Sequence, residues 1–175
     1  MEPDAWLVRH TELLAASRPG ARALDLACGA GRHALWLAEL GYAVDAWDIS
    51  DVGLDLLERE LAKRSAATPL RVTQGQVDLE TVSLSANVYD LILDAFFLER
   101  RLIGQMTTAL RPGGLVVVRT LLHRGANEDR NPAYLLTPGE LRATFAELEI
   151  LREEENPSQG NVGMIARKRR MLSQR

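Results

Sequence analysis

The sequence holds one cysteine in 175 residues. Cys28 therefore has no partner within the chain, which excludes an internal disulfide framework. Long uncharged apolar runs are missing too, and those present are far too short to span a bilayer. Basic charge is not in excess: 21 Lys and Arg stand against 24 Asp and Glu, a net charge of 21 − 24 = −3. That balance argues against nucleic acid as an obligate partner. The opening Met1-Glu2-Pro3-Asp4 is acidic and has no apolar stretch behind it, so no signal peptide is expected. Repeats, linkers and low-complexity segments are absent, and no metal site is expected. These absences point to a cytoplasmic protein with no membrane partner. The chain is 46% hydrophobic and 26% charged, as in soluble globular proteins. Its length suits a single domain over 1–175 with a substantial core, and leaves almost no room for an inserted substrate domain.

The chain is organised around Ala23 to Gly41. Ala23 to Ala27 is an apolar run broken only by Asp25, which suits a buried parallel strand. Gly29 and Gly31 let the backbone turn sharply and a ligand come close. Ala34 to Leu40 is apolar at helical length and ends on Gly41, a natural residue just past a helix end. A helix N-terminus so placed offers N–H donors and positive partial charge.

The details narrow the ligand. Gly29, Gly31 and Ala34 satisfy the loose G-x-G-x-x-G/A pattern of dinucleotide sites. Asp25, four residues earlier, would repel a pyrophosphate but accepts hydrogen bonds from an ammonium. Asp48 closes the next apolar segment, Tyr42 to Trp47, at the distance expected of a ribose-binding acid. A ribose and an amino-acid end without phosphate describe S-adenosylmethionine.

Leu24-Asp25-Leu26-Ala27-Cys28-Gly29-Ala30-Gly31-Arg32-His33-Ala34 resembles the first motif of class I S-adenosylmethionine-dependent methyltransferases. The resemblance continues through Val44 to Ser50, Tyr89 to Asp94, Leu110 to Gly114 and Asn131 to Leu141, and covers nearly the whole chain from about residue 20. It is closest to the small tellurite-resistance and thiopurine-methyltransferase-like branch. Ala27 departs from the family pattern, which usually has its first glycine there; alanine still permits close approach. The resemblance implies a doubly wound, mostly parallel seven-stranded sheet with helices on both faces and an antiparallel last strand. It implies S-adenosylmethionine as cofactor and S-adenosylhomocysteine as product. The implied cofactor residues are Asp25, Ala27, Cys28, Gly29, Gly31, Asp48, Ile49, Asp78, Leu79, Asp94 and Ala95, with Asp78 against the adenine amino group.

The remaining chain reads as alternating strands and helices. A helix is expected over Ala5 to Ser17, within an N-terminal segment 1–18, with Trp6 either over the cofactor pocket or in the core. Ser50 is an N-cap for a helix to about Ser65 with its stripe at Leu54, Leu57 and Leu61. Leu70 to Gln74 is a short strand, and Gly75 to Val88 is irregular. Tyr89 to Phe97 is a buried strand with Asp94 near its end. A helix follows through Leu98, Leu102, Met106 and Leu110, then a turn at Arg111-Pro112-Gly113-Gly114 and a strand from Leu115 to Val118. His123 to Pro132 is a polar loop. Thr137-Pro138-Gly139-Glu140 combines an N-cap, a first-turn proline and a capping-box Glu for a helix to about Phe145. Strands at Leu148 to Arg152 and Val162 to Arg167 follow, and a frayed tail over 168–175. The alternation calls for a parallel sheet whose ligands bind at the carboxyl ends of its strands.

No motif identifies a catalytic base. Arg32, His33, Arg100, His123, Arg124 and Arg130 are candidate substrate residues. The loop cluster suits an anionic acceptor and reads equally as a solvated surface; His33 reads more readily as a structural or solvent-facing residue at the helix start, Arg100 as pocket lining or helix surface, and His10 as a surface residue. Cys28 reads as a packing residue in the turn. The leading expectation is methyl transfer to a small thiol, amine or chalcogen oxyanion. The alternatives are a nicotinamide-binding Rossmann oxidoreductase and a catalytically silent cofactor-binding module.

Overall fold

The computed structural model describes residues 1–65, 69–124 and 127–170. Of the tail over 168–175, residues 171–175 lie outside this description, as do residues 125 and 126 of the polar loop. Seven strands form one sheet in the order β3-β2-β1-β4-β5-β7-β6, and the chain divides into two compact units, Met1–Val82 and Ser83–Arg175.

In the first unit β1 (Arg22–Leu26), β2 (Ala43–Asp48) and β3 (Val72–Gln76) run parallel. Helices α3 (Arg32–Glu39) and α4 (Asp51–Ser65) connect them. The central strand β1 is buried from Ala23 to Leu26, as a strand covered on both faces must be. Gly41, at φ 99°, closes α3: its N–H donates to Ala38 O at 3.0 Å and the Tyr42 N–H to Leu37 O at 3.2 Å, the paired bonds of a Schellman ending. Ser50 caps α4, accepting the Gly53 N–H on its hydroxyl at 3.1 Å. The expected stripe is buried at Leu54 and Leu57.

Two expectations for this unit are corrected. The N-terminal helix is two short ones, α1 (Ala5–Arg9) and α2 (Thr11–Leu14). His10 interrupts them: its Nδ1 pairs with Trp6 O at 2.8 Å, and its own N–H donates to Leu7 O. The side chain thus takes the carbonyl that the next helical turn would use. Trp6 is buried, its ring 4.6 Å from that of His10. Strand β3 begins two residues later than the composition suggests and runs through Gly75, where a Cβ would meet the Trp47 indole at 2.9 Å.

In the second unit β4 (Tyr89–Ala95) pairs parallel with β5 (Leu110–Leu121). Helix α5 (Arg100–Ala109) connects them. Strand β7 (Asn161–Arg167) is antiparallel to β5 on one side and to β6 (Glu149–Asn156) on the other. Strand β5 starts earlier than expected, at Leu110. The Arg111–Gly114 turn survives inside it as a break in register, with Tyr89 opposite Leu110 and Leu91 opposite Leu115. Helix α6 (Glu140–Thr144) starts three residues past Thr137, because Gly139 at φ 77° lies outside helical space. The Thr137–Glu140 contact is nonetheless made, the Thr137 N–H donating to Glu140 Oε2 at 2.9 Å. No described helix is long and apolar enough to cross a membrane.

Candidate cofactor site

The carboxyl ends of β1, β2 and β3 lie side by side, registered Leu26 to Trp47 and Asp48 to Gln76. Pairing extends past the strands through Cys28 N–H to Trp47 O (3.0 Å) and Val77 N–H to Asp48 O (2.9 Å). Parallel register thus brings the turn after β1, the Asp48-Ile49 pair and the Asp78-Leu79 pair to one edge of the first unit.

The turn is built tightly. Ala27 at φ 53° and Gly29 at φ 53° both take left-handed backbone. Gly31 is the N-cap of α3 at φ 79°, and a Cβ there would overlap the Leu57 side chain. Gly53 of α4 comes within a Cβ's reach of the Gly29 carbonyl carbon, 3.1 Å. On the other side of Gly29 an added Cβ would meet nothing within 4 Å. The turn is therefore packed from behind and open in front.

Three carboxylates serve this edge. Asp48 Oδ2 accepts the Gly29 N–H at 2.7 Å and its Oδ1 the Ser50 N–H at 2.8 Å. A carboxylate has about four acceptor directions, so Asp48 keeps capacity for further donors. Asp25 is 1% exposed. Burial pushes its pKa up to about 8, against the pull of a hydrogen bond from the Ala34 N–H and of the Arg32 charge. Its Oδ2 is buried with no hydrogen-bond partner among the described residues. A buried acceptor in that condition is costly and marks where a donor would be welcome. Asp78 is exposed and accepts the Glu80 N–H at 2.9 Å, while Leu79 is buried.

The helix N-terminus is less bare than its sequence suggests. The N–H groups of Gly29, Gly31 and Ala34 are taken by Asp48, Cys28 O and Asp25. Cys28 is buried, and desolvation beside Asp25 and Asp48 drives its thiol far above the usual range. That makes it an inert packing residue. Ile49 is 64% exposed, an apolar side chain standing next to the ribose-distance carboxylate.

His33 does not face this edge as a free base. It is buried, its Nε2 accepts the Asp4 N–H at 3.2 Å, and desolvation lowers its pKa to about 4. Arg32 beside it is exposed. In the second unit Asp94 is fully buried one residue before Ala95 ends β4. Arg100 is a clamp: it donates to Glu140 (2.7 and 3.3 Å), Ala133 O (3.0 Å) and Leu135 O (2.8 Å). Its donors are thereby engaged in holding the segment before α6. His123, Arg124 and Arg130 are exposed along the loop after β5.

Sequence reasoning missed Phe96, Arg119 and Asn127. Asn127 is buried and its Nδ2 donates to Leu122 O and Gly160 O, pinning the loop to the β6–β7 turn. Phe96 follows β4, and Arg119 lies two residues before the end of β5. The one signal was Phe96-Phe97 directly after an acid-ended strand, which read as more strand.

The strand order and this edge define a class I S-adenosylmethionine-dependent methyltransferase fold. The profile of the family described as tellurite resistance protein TehB matches residues 7–164, and the chain belongs to that family. It is 25% identical over 143 residues to the probable S-adenosyl-L-methionine-dependent methyltransferase TehB of Haemophilus influenzae, covering 77% of this chain and 48% of that protein. It is 29% identical over 121 residues to the ribosomal RNA small subunit methyltransferase C of Alcanivorax borkumensis, covering 66% of this chain and 36% of that one. The crystal structure of TehB from Haemophilus influenzae superposes with a TM-score of 0.77 at 23% identity, over 95% of this chain and 63% of that chain. The chain spans about half the length, or less, of these curated relatives.

Proposed function

We propose that this chain binds S-adenosylmethionine at the carboxyl edge of β1–β3 and transfers its methyl group to a small nucleophilic acceptor, releasing S-adenosylhomocysteine. The observation that carries the reading is Asp25: a buried carboxyl with an unmatched oxygen, set behind a turn whose front is open. An ammonium donor satisfies that oxygen; a pyrophosphate would be repelled by it. Asp48 has acceptor capacity left for ribose hydroxyls, Asp78 for an adenine amino group, and Ile49 offers an apolar face for the base. Ala27, Cys28, Gly29 and Gly31 line the turn with backbone, and Leu79 backs the base.

The sulfonium methyl is the cofactor's own chemistry. The chain's part is to bind, orient and exclude water, and positioning of this kind lowers barriers by as much as ~7–11 kcal/mol. A deprotonated nucleophile needs no protein base, in keeping with the lack of a base motif. His123, Arg124 and Arg130 form a basic stretch of the loop after β5, suited to an anion. His33 and Arg100 are left out, being held in internal bonds. A small acceptor is favoured over RNA by the net charge of −3, and a cytoplasmic site of action goes with it.

Calorimetry with S-adenosylmethionine and S-adenosylhomocysteine tests the reading, with micromolar binding expected. Folded protein that gives no heat overturns it. A thermal-shift comparison with NAD separates the oxidoreductase alternative, since stabilisation by NAD alone would favour that class. Methyl release to a panel of thiols, amines and chalcogen oxyanions separates an enzyme from a silent binding module.

A further inference from the structure

Strand β3 ends the sheet on one side and pairs only with β2 among the described residues. Arg71 O accepts the Val44 N–H, and the Val77 N–H donates to Asp48 O. Thr73 and Gly75, between them in the alternation, turn their backbones inward as well. The N–H and C=O groups of Val72, Gln74 and Gln76 therefore point outward, where no described strand meets them. The opposite edge, β6, carries Glu149, Arg152, Glu153, Glu154 and Glu155, the kind of charge that keeps an edge from pairing. Between Val72 and Gln76 there is no charged residue and no proline.

The flank of this edge is acidic. On one side of α4, Gly53 and Leu57 face the turn after β1, and Arg64 pairs with Glu39 of α3 at 3.0 Å. On its other side the Gln74 amide lies 3.3 Å from Leu54 O and 3.1 Å from the Glu58 nitrogen. Asp51, Asp55 and Glu58 continue round the helix on that second side at i, i+4 and i+7, and all three are exposed. Asp78 and Glu80, also exposed, follow the end of β3. On the far face of the sheet Trp47 is in register with Gly75, and its indole would meet a Gly75 Cβ at 2.9 Å.

We infer that the β3 edge docks an extended segment of a partner protein by strand addition, and that this segment carries lysine or arginine at alternate positions. The outward groups of Val72, Gln74 and Gln76 supply the ladder, and side chains of alternating face supply selectivity. Those on the α4 face meet Asp51, Asp55 and Glu58 and are basic. Those on the other face meet Thr73 and the Trp47 indole and are apolar. A second copy of this chain is the wrong occupant. Antiparallel pairing about a twofold axis normal to the sheet would set both α4 helices on one face with their acidic stripes opposed. The same carboxylates repel nucleic acid. The inference does not rest on the methyltransferase reading.

The test titrates the full chain into a labelled, end-capped peptide of alternating lysine and valine, read by fluorescence anisotropy at physiological salt. One control peptide has glutamate in place of lysine. A second is N-methylated at alternate amides, which keeps the charge and removes the ladder donors. The basic peptide is expected to bind roughly tenfold or more tighter than either control. Gln74→Pro should weaken it roughly three- to tenfold, because the N–H lost is one that faces away from β2. The double variant Asp55→Lys, Glu58→Lys leaves the strand untouched and should weaken it roughly tenfold. No binding by the wild type overturns the inference, and so does equal binding of the N-methylated peptide, which would mean charge alone. Unchanged affinity in the double variant also overturns it. Should Gln74→Pro not fold, the N-methylated peptide decides the ladder by itself. Sedimentation of the wild type as a dimer that Gln74→Pro breaks would place a second copy on the edge and overturn the choice of occupant.

Discussion

Asp48 reaches from the end of β2 to the Gly29 N–H at 2.7 Å, while its other oxygen takes the Ser50 N–H at 2.8 Å. One carboxylate thus joins the turn after β1 to the start of α4, and any ligand that hydrogen-bonds Asp48 meets an acid already aimed by two backbone donors. A carboxylate on an unpinned loop would need ordering on binding; this one is ordered beforehand.

Asp48→Ala should therefore weaken both fold and binding. Two charge-assisted bonds disappear from a partly exposed site, a loss of about 1–2 kcal/mol in stability, or several degrees in Tm for a chain of this size. Calorimetry should show S-adenosylmethionine binding abolished. An alanine variant that melts with the wild type would mean that the two N–H groups find water at no cost.

On the proposed reading, Asp25 should make binding proton-linked. Burial raises its pKa from the ordinary 3.8 to about 8 in the folded chain, so between those values the folded state holds the extra proton. Stability contributed by this group is full below about pH 4 and declines as pH rises toward 8. A docked ammonium favours the charged carboxylate and reverses the shift. Binding of S-adenosylmethionine at pH 7 should then release a proton, read as a binding enthalpy that differs between phosphate and Tris buffers. Asp25→Asn should bind weakly and erase any buffer dependence.

Ala27 sits in left-handed backbone without being glycine. That conformation costs an alanine about 1–2 kcal/mol, while glycine loses roughly 0.5–1 kcal/mol more backbone entropy on folding. Ala27→Gly should raise stability by a few tenths to about 1 kcal/mol, measured as a higher urea midpoint at unchanged slope. A lower midpoint would show that the Ala27 methyl makes packing contacts worth more than the strain.

Much of this architecture was legible in advance, and the failures share a cause. Gly41, Ser50 and the Thr137–Glu140 pair act within a few residues of themselves, so their sequence signals survive into the structure. The internal bonds of His33 and Arg100 were not legible, because their partners, Asp4 and Glu140, are 29 and 40 residues away. Sequence spacing cannot show that a histidine nitrogen is consumed by a distant backbone N–H. Phe96 was read as strand because apolar composition carries no mark of positive φ. That Asp25, Gly29 and Asp48 share one edge was visible, because parallel register brings strand ends together whatever the side chains do elsewhere.

The His33–Asp4 bond gives an acid dependence to the N-terminal segment. His33 has its pKa lowered from 6.5 to about 4, mainly by burial, so in that window the unfolded chain binds the proton first. Stability from the neutral ring is full above about pH 6.5 and is lost as pH falls toward 4. Protonation also removes the acceptor that holds the Asp4 N–H. Hydrogen exchange over residues 4–14, corrected for intrinsic rates, should quicken between pH 6.5 and 4. In His33→Phe the acceptor is absent at every pH, so that segment should exchange fast throughout with no such pH dependence.

Arg100 and Glu140 should behave as one unit. Arg100 is nearly half exposed, and isolated surface ion pairs contribute little. This one differs because the same guanidinium also binds the carbonyls of Ala133 and Leu135, and Glu140 also takes the Thr137 N–H and hydroxyl. Lysine cannot reproduce the planar fork. Arg100→Lys should cost global stability under about 1 kcal/mol, yet speed limited proteolysis within residues 131–136 severalfold. Glu140→Gln should do the same, and the double variant should be no faster than the worse single one. Additive effects would mean that the two side chains hold the segment independently, and the loop carrying Arg130 and Tyr134 would then owe its placement to Asn127 and the strand ends instead.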